Sequence, residues 1–155
     1  MTTIKKIHAK DVLPLLHKAV EDRGADWRYP DTNDCRYAYT PEEYIPLDED
    51  EHPGVVAMAD YFGATRGPAC MVGYVFNALD PEFLTSVVDQ RQNGQAVNAL
   101  GLQTGWAVGE ITYVFTDKAI AVLVAAQSTQ DVGCCWGDAE RNALAAAEAF
   151  DKEES

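Results

Sequence analysis

A mostly helical domain is the fold this chain predicts: a compact bundle of four to five helices around one apolar helix at 68–79, with a minor two-stranded β ribbon. Three features predict it. The stretch "RGPACMVGYVFNALD" (Arg66 to Asp80) is the least polar of the sequence, and apolar side chains surround almost its whole helical circumference, as in a buried helix. Segments 11–23 and 117–132 place apolar residues at helical spacing between a capping residue and a glycine. Clear strand alternation is confined to "GEITYVFT", with a shorter candidate in "CRYAYT". The 155 residues suit one domain, 1–155, with a polar tail at 151–155.

The elements follow in order. Over 11–23, Asp11 offers an N-cap oxygen, Pro14 is tolerable in the first turn and Gly24 is the stop. Leu13, Leu16 and Val20 make the apolar stripe. His17 sits at its edge with no second ligand at helical spacing, so it reads as structural or exposed. Residues 25–66 are irregular and rich in aromatics, Pro, Asp and Asn. Within them "CRYAYT" suits a short strand, "TPEEY" a helical turn capped by Thr40, and "LDEDEHPG" an exposed acidic loop. That loop departs from calcium-loop spacing, because His52 and Pro53 fall where a ligand and the glycine should be.

In the apolar helix, Gly67 suits the entry and Pro68 the first turn. Asp80-Pro81 ends it and opens the next helix, where Phe83, Leu84, Val87 and Val88 face inward and Gly94 is the stop. "GLQTGWAVGE" reads as a turn-rich connector. Gly109 to Thr116 is the strand, expected to pair with "CRYAYT" as the ribbon. Thr116-Asp117 caps the helix through Val132, with Ile120, Leu123, Val124 and Gln127 on one side and Gly133 beyond its end. In the last helix Trp136, Ala139, Ala143, Ala147 and Phe150 share one stripe. The expected buried set is Leu16, Val20, Val72, Val75, Phe76, Leu84, Val87, Ile120, Leu123, Trp136 and Phe150.

The formal net charge is −13. It is concentrated in residues 24–60, where ten acidic side chains meet two basic ones. Such a surface repels the nucleic-acid backbone and anionic membranes and attracts a basic partner, besides conferring solubility. No apolar window reaches the roughly 18 residues of a membrane span. The first residues lack a signal-peptide pattern, so a cytoplasmic protein is expected. Cys35, Cys70, Cys134 and Cys135 form neither a disulfide framework nor a CxxC knuckle, so reduced thiols, no metal and no cofactor are expected.

Cys70 is the one candidate nucleophile. A helix N-terminus and Arg66 could lower its pKa, but nucleophilic catalysis also needs a base. His8, His17 and His52 stand in no signature, and the neighbours of Cys70 are all apolar. The reading is core packing, with a cysteine-dependent enzyme as an alternative. Phosphate-loop, dinucleotide, G-x-S-x-G and H-E-x-x-H patterns are absent from the sequence. Adjacent acids such as Glu42-Glu43 carry no glycosidase signal in so acidic a chain.

The residues Thr116, Lys118, Ala119, Leu123, Ala126-Gln127, Gln130-Asp131, Gly133, Trp136-Gly137 and Ala139, with "ACMVGYVFNAL" as a second piece, resemble small uncharacterised proteins of actinobacterial phages. The resemblance covers about a third of the chain. It implies a phage accessory protein acting in the cytoplasm of a bacterial host, and it implies no catalytic residue. In the relatives one residue precedes the Trp, where this chain has Cys134-Cys135.

The expected function is therefore that of a non-enzymatic, small acidic binding protein engaging a host or phage protein with a basic surface. Its candidate binding residues are Trp27, Arg28, Tyr29, Arg36, Tyr37, Tyr39, Asp48, Glu49, Asp50 and Glu51. Trp, Tyr and Arg are the usual interface anchors, and the acids can steer a basic partner. The competing reading is that these aromatics only cover the core. A nucleic-acid mimic occupying a DNA-binding protein is an alternative, which would need carboxylates in two regular rows. Direct binding to nucleic acid or membrane is not expected, and a homo-oligomer is left open.

Overall fold

The strand Ile111–Phe115 lies in the middle of a three-stranded sheet. The computed structural model describes residues 3–27, 37–39, 44–47, 54–57, 67–68, 70–90, 96–132 and 134–154. In chain order the elements are β1 (Thr3–Ile7), α1 (Ala9–Arg23), β2 (Ala38–Tyr39), β3 (Tyr44–Leu47), β4 (Gly54–Ala57), β5 (Gly67–Pro68), α2 (Met71–Leu79), α3 (Pro81–Asp89), a 3₁₀ turn (Val97–Ala99), β6 (Trp106–Val108), β7 (Ile111–Phe115), α4 (Asp117–Asp131) and α5 (Trp136–Glu154). The described chain is mostly helical, with five α-helices and one small three-stranded sheet. Among the described residues no helix is long and apolar enough to cross a membrane.

The sheet departs from the expected ribbon. β7 pairs in parallel with β1, from Thr3 opposite Ile111 to Ile7 opposite Phe115, and antiparallel with β6. "CRYAYT" is not its partner: Ala38–Tyr39 pairs with Gly67–Pro68 instead. β1 hides from sequence patterning because Lys5 and Lys6 interrupt its apolar residues. As an edge strand it needs only Ile7 buried, and its lysines discourage further strand addition. β6 arises inside the segment expected to be a connector, with Trp106 and Val108 buried and Ala107 exposed. Tyr44, expected in a helical turn, begins β3, which pairs with β4; residues 40–43 of that turn lie outside the described residues.

One face of the sheet carries the core. Tyr113, Phe115 and Trp106 meet Phe83 of α3, with ring centroids 5.2, 5.9 and 6.1 Å from it. Phe76 of α2 lies 4.8 Å from Phe83 and 5.1 Å from Tyr37. Stacked and edge-on aromatic pairs at such distances add to area burial.

The helix ends follow local chemistry. His8 occupies the N-cap position of α1, and Asp11, expected there, lies one turn in, its carboxylate accepting from the His8 backbone N–H at 2.9 Å. Gly24 ends α1 at φ 103°, donating its N–H to Val20 O at 2.7 Å; only glycine adopts that backbone without strain. Asp80 closes α2 and caps α3, accepting from Glu82 N–H at 3.0 Å. Thr116 caps α4 through Ala119 N–H at 3.1 Å.

α2 begins at Met71, three residues later than expected, because Gly67–Pro68 is extended. It is not buried all round: Tyr74 and Asn77 are half-buried and Ala78 is exposed. It packs on α1, α3 and α4, while α4 packs on α1, α2, α5 and the 3₁₀ turn, so the two helices share the centre. The alanine stripe Ala139, Ala143 and Ala147 is buried, and α5 packs extensively on α4. Lys118, at the start of α4, pairs with Asp151 at 2.6 Å near the end of α5, and Asn142 bonds Thr129 at 2.8 Å; the two helices therefore run antiparallel. Ten of the eleven expected core residues are buried; Phe150 is not, and lies half-exposed at the edge of a cleft.

Candidate functional site

Because β1 and β7 are parallel, both run out on the same side of the molecule, and each leads directly into a helix. The N-caps His8 and Thr116 stand side by side there, Thr116 N–H donating to Ile7 O at 3.0 Å. A cleft of about 660 Å³ opens at this point. Lys6, Lys10 and Lys118 bring positive charge to it, His8 an imidazole, Asp117 one carboxylate, and Ala9, Val114, Phe115 and Phe150 supply apolar wall. Ligands of open α/β sheets occupy the crevice beyond the carboxyl ends of the parallel strands, the position of this cleft. Sequence reasoning missed it, since a long crossover brings its residues together.

A second polar cluster ties α1 to α5. His17 Nδ1 meets Glu140 Oε2 at 2.7 Å and His17 Nε2 meets Glu21 Oε1 at 2.8 Å. The Glu140 hydrogen bond and charge, helped by Glu21, raise the His17 pKa above its ordinary 6.5. A raised folded-state pKa stabilises the fold fully below the unfolded value and ceases to do so as pH rises through the folded value. His17 should thus titrate above 6.5 in an NMR pH series, and Glu140→Gln should lower its midpoint; a midpoint at or below the ordinary value would show that the bridge does not form.

Of the expected binding residues, Tyr37 is a core residue: it is fully buried and its hydroxyl accepts from Gln127 Nε2 at 3.1 Å. Its burial removes it from any exposed interface. Trp27 is half-buried, its ring 4.5 Å from Trp136 and edge-on, with the Arg23 guanidinium 5.0 Å over it. Its carbonyl accepts from the Trp136 backbone N–H at 2.9 Å. Trp27→Ala is therefore expected to lower stability by about 2 kcal/mol, as lost aromatic packing does, read as a fall in urea midpoint; an unchanged midpoint would return Trp27 to the role of surface anchor. Tyr39 lies in β2. Arg28, Tyr29, Arg36, Asp48, Glu49, Asp50 and Glu51 lie outside the described residues.

Cys70 stands at a helix N-terminus and in the core at once. It is the N-cap of α2, its sulfur accepting from Gly73 N–H at 3.4 Å, and it is fully buried. Iodoacetamide should label it only as fast as the protein unfolds, and Cys70→Ala should cost about 1 kcal/mol through the lost cap and packing; rapid labelling of the native protein would revive the nucleophile. Cys134 and Cys135 are free and half-buried. Among the described residues no three His, Cys, Asp or Glu side chains gather as metal ligands.

Two buried glutamines went unrecognised as structural anchors. Gln127 accepts from Val97 N–H at 2.7 Å, and Gln130 from Met71 N–H at 2.9 Å. They hold the 3₁₀ turn and the first turn of α2 to α4, supplying backbone donors that would otherwise be buried without partners. Asp80 also accepts from the Tyr113 hydroxyl at 2.9 Å; burial and then Asp80 push the Tyr113 pKa up to about 12. The chain matches no protein-family model, no curated protein and no solved structure.

Proposed function

We propose that this chain is a small acidic binding protein, without catalytic activity of its own, that engages a partner protein through a basic surface on that partner. In this reading it is a phage accessory protein working in the cytoplasm of a bacterial host. The observation that carries it is the β3–β4 hairpin. Leu47 and Gly54 are paired across it, so Asp48, Glu49, Asp50 and Glu51 are consecutive carboxylates in its connection. Four like charges consecutive in sequence favour a cationic counter-surface, and a field of this kind accelerates encounter with a basic partner. Exposed acids on α5, such as Glu148, add to the negative charge available to a basic partner.

The test is kinetic. A protein captured from bacterial lysate is purified and its association measured against salt. Asp48→Asn, Glu49→Gln, Asp50→Asn and Glu51→Gln together should slow association and flatten its salt dependence, with dissociation little changed. The same association rate and salt slope in this variant and the parent would remove the hairpin from the interface; loss on neutralising Glu148 and Asp151 instead would transfer it to α5.

A further inference from the structure

The cleft beyond β1 and β7 is cationic in a chain whose acids outnumber its bases by 25 to 12. Some other described cations pair with carboxylates: Arg141 with Asp138, His17 with Glu21 and Glu140, and Lys118, which also lines the cleft, with Asp151. Among the described residues no carboxylate pairs with Lys6 or Lys10, although both line the same cleft. Lys6 reaches it from β1 opposite Val114, and Lys10 from the first turn of α1. Both lysines line the cleft without a described carboxylate partner, and a bound anion would supply that counter-charge. The positive ends of α1 and α4 open on the same space and add to the attraction. Half-buried Phe150 adds an apolar side chain to the lining, and the volume of about 660 Å³ is that of a site for a whole small molecule.

We propose that this cleft binds a small phosphorylated organic molecule, its phosphate held by Lys6 and Lys10 and its apolar part laid against Phe150. A carboxylate ligand would use the same lysines, but the doubly charged phosphate monoester matches two cations and two helix N-termini best. The site is separate from the acidic hairpin and does not depend on the partner-binding reading.

The probes are phenyl phosphate, inorganic phosphate and benzoate, titrated into the full chain and followed by amide NMR and calorimetry. Phenyl phosphate should shift the amides of Ala9 to Asp11 and Asp117 to Ala119 saturably, and bind more tightly than the other two. Lys6→Gln and Lys10→Gln should each weaken it about tenfold, the loss of one charge-assisted contact, without changing the melting temperature. Phe150→Ala should reduce phenyl phosphate to the affinity of inorganic phosphate. Benzoate binding as tightly as phenyl phosphate would overturn the phosphate assignment. Shifts that fail to saturate, that spread equally to Lys18 and Lys152, or that survive both lysine changes would overturn the site.

Discussion

Val75→Asp is expected to prevent folding. Val75 is fully buried in α2, among a set that includes Val72, Phe76 and Met71. A carboxylate placed there loses its hydration, and no described cation lies on that helix to pair with it. Such a charge either stays ionised at a cost exceeding the whole stability of a small domain, or takes up a proton and remains an unsatisfied polar group. A loss above about 4 kcal/mol is the scale for this mechanism. Ala78→Asp is the control, on the same helix but exposed; it should change stability by no more than about 1 kcal/mol, the small unfavourable part coming from an acid at a helix C-terminus. Circular dichroism melts compare the two. A soluble, cooperatively melting Val75→Asp protein would show that α2 is not central to the core.

The parts of this fold that local chemistry determines were legible in the sequence. Thr116 caps its helix, Asp80-Pro81 divides two helices and Gly24 terminates the first, because each depends on atoms a few residues apart. Strand partners were not legible. β7 is recognisable by alternation, but its partner was chosen by a parallel pairing with β1, whose two lysines mask its pattern. Tyr37 shows the same limit: it lies in a polar, aromatic stretch that suits an exposed loop, yet it is buried because Phe76 and Gln127 provide a place for both ring and hydroxyl. The cleft failed to appear for the same physical reason. Lys6, Lys10, Lys118 and Phe150 belong to four separate elements, β1, α1, α4 and α5, and only the sheet register and the α4–α5 pairing bring them together. Composition gives the acidic net charge, whereas this cationic recess is a tertiary feature.

Gly73→Ala tests a close approach of α2 to the Tyr37 backbone, and two effects of opposite sign compete there. Gly73 lies within α2, where alanine is intrinsically favoured over glycine by about 1 kcal/mol. Propensity alone therefore expects stabilisation. A Cβ on Gly73, however, would fall far inside van der Waals contact distance of the Tyr37 backbone carbonyl oxygen, with the Tyr37 Cα at 3.1 Å as well. A backbone atom cannot rotate aside as a side chain can. Relief requires α2 and the backbone at Tyr37 to separate, which would strain the Tyr37–Phe76 contact and the Gln127 bond to the Tyr37 hydroxyl. The same Gln127 holds Val97 N–H, so the disturbance would extend to the 3₁₀ turn. Overpacking of this kind costs about 1–3 kcal/mol and more where backbone is displaced, and a broken buried hydrogen bond adds about 1–3 kcal/mol. Their sum exceeds the helix-propensity gain, so Gly73→Ala should lower stability by roughly 3 kcal/mol or more. The measurement is the urea midpoint with its slope, alongside hydrogen exchange at the Val97 amide. An unchanged or raised midpoint with full protection at Val97 would mean that α2 does not approach the Tyr37 backbone this closely.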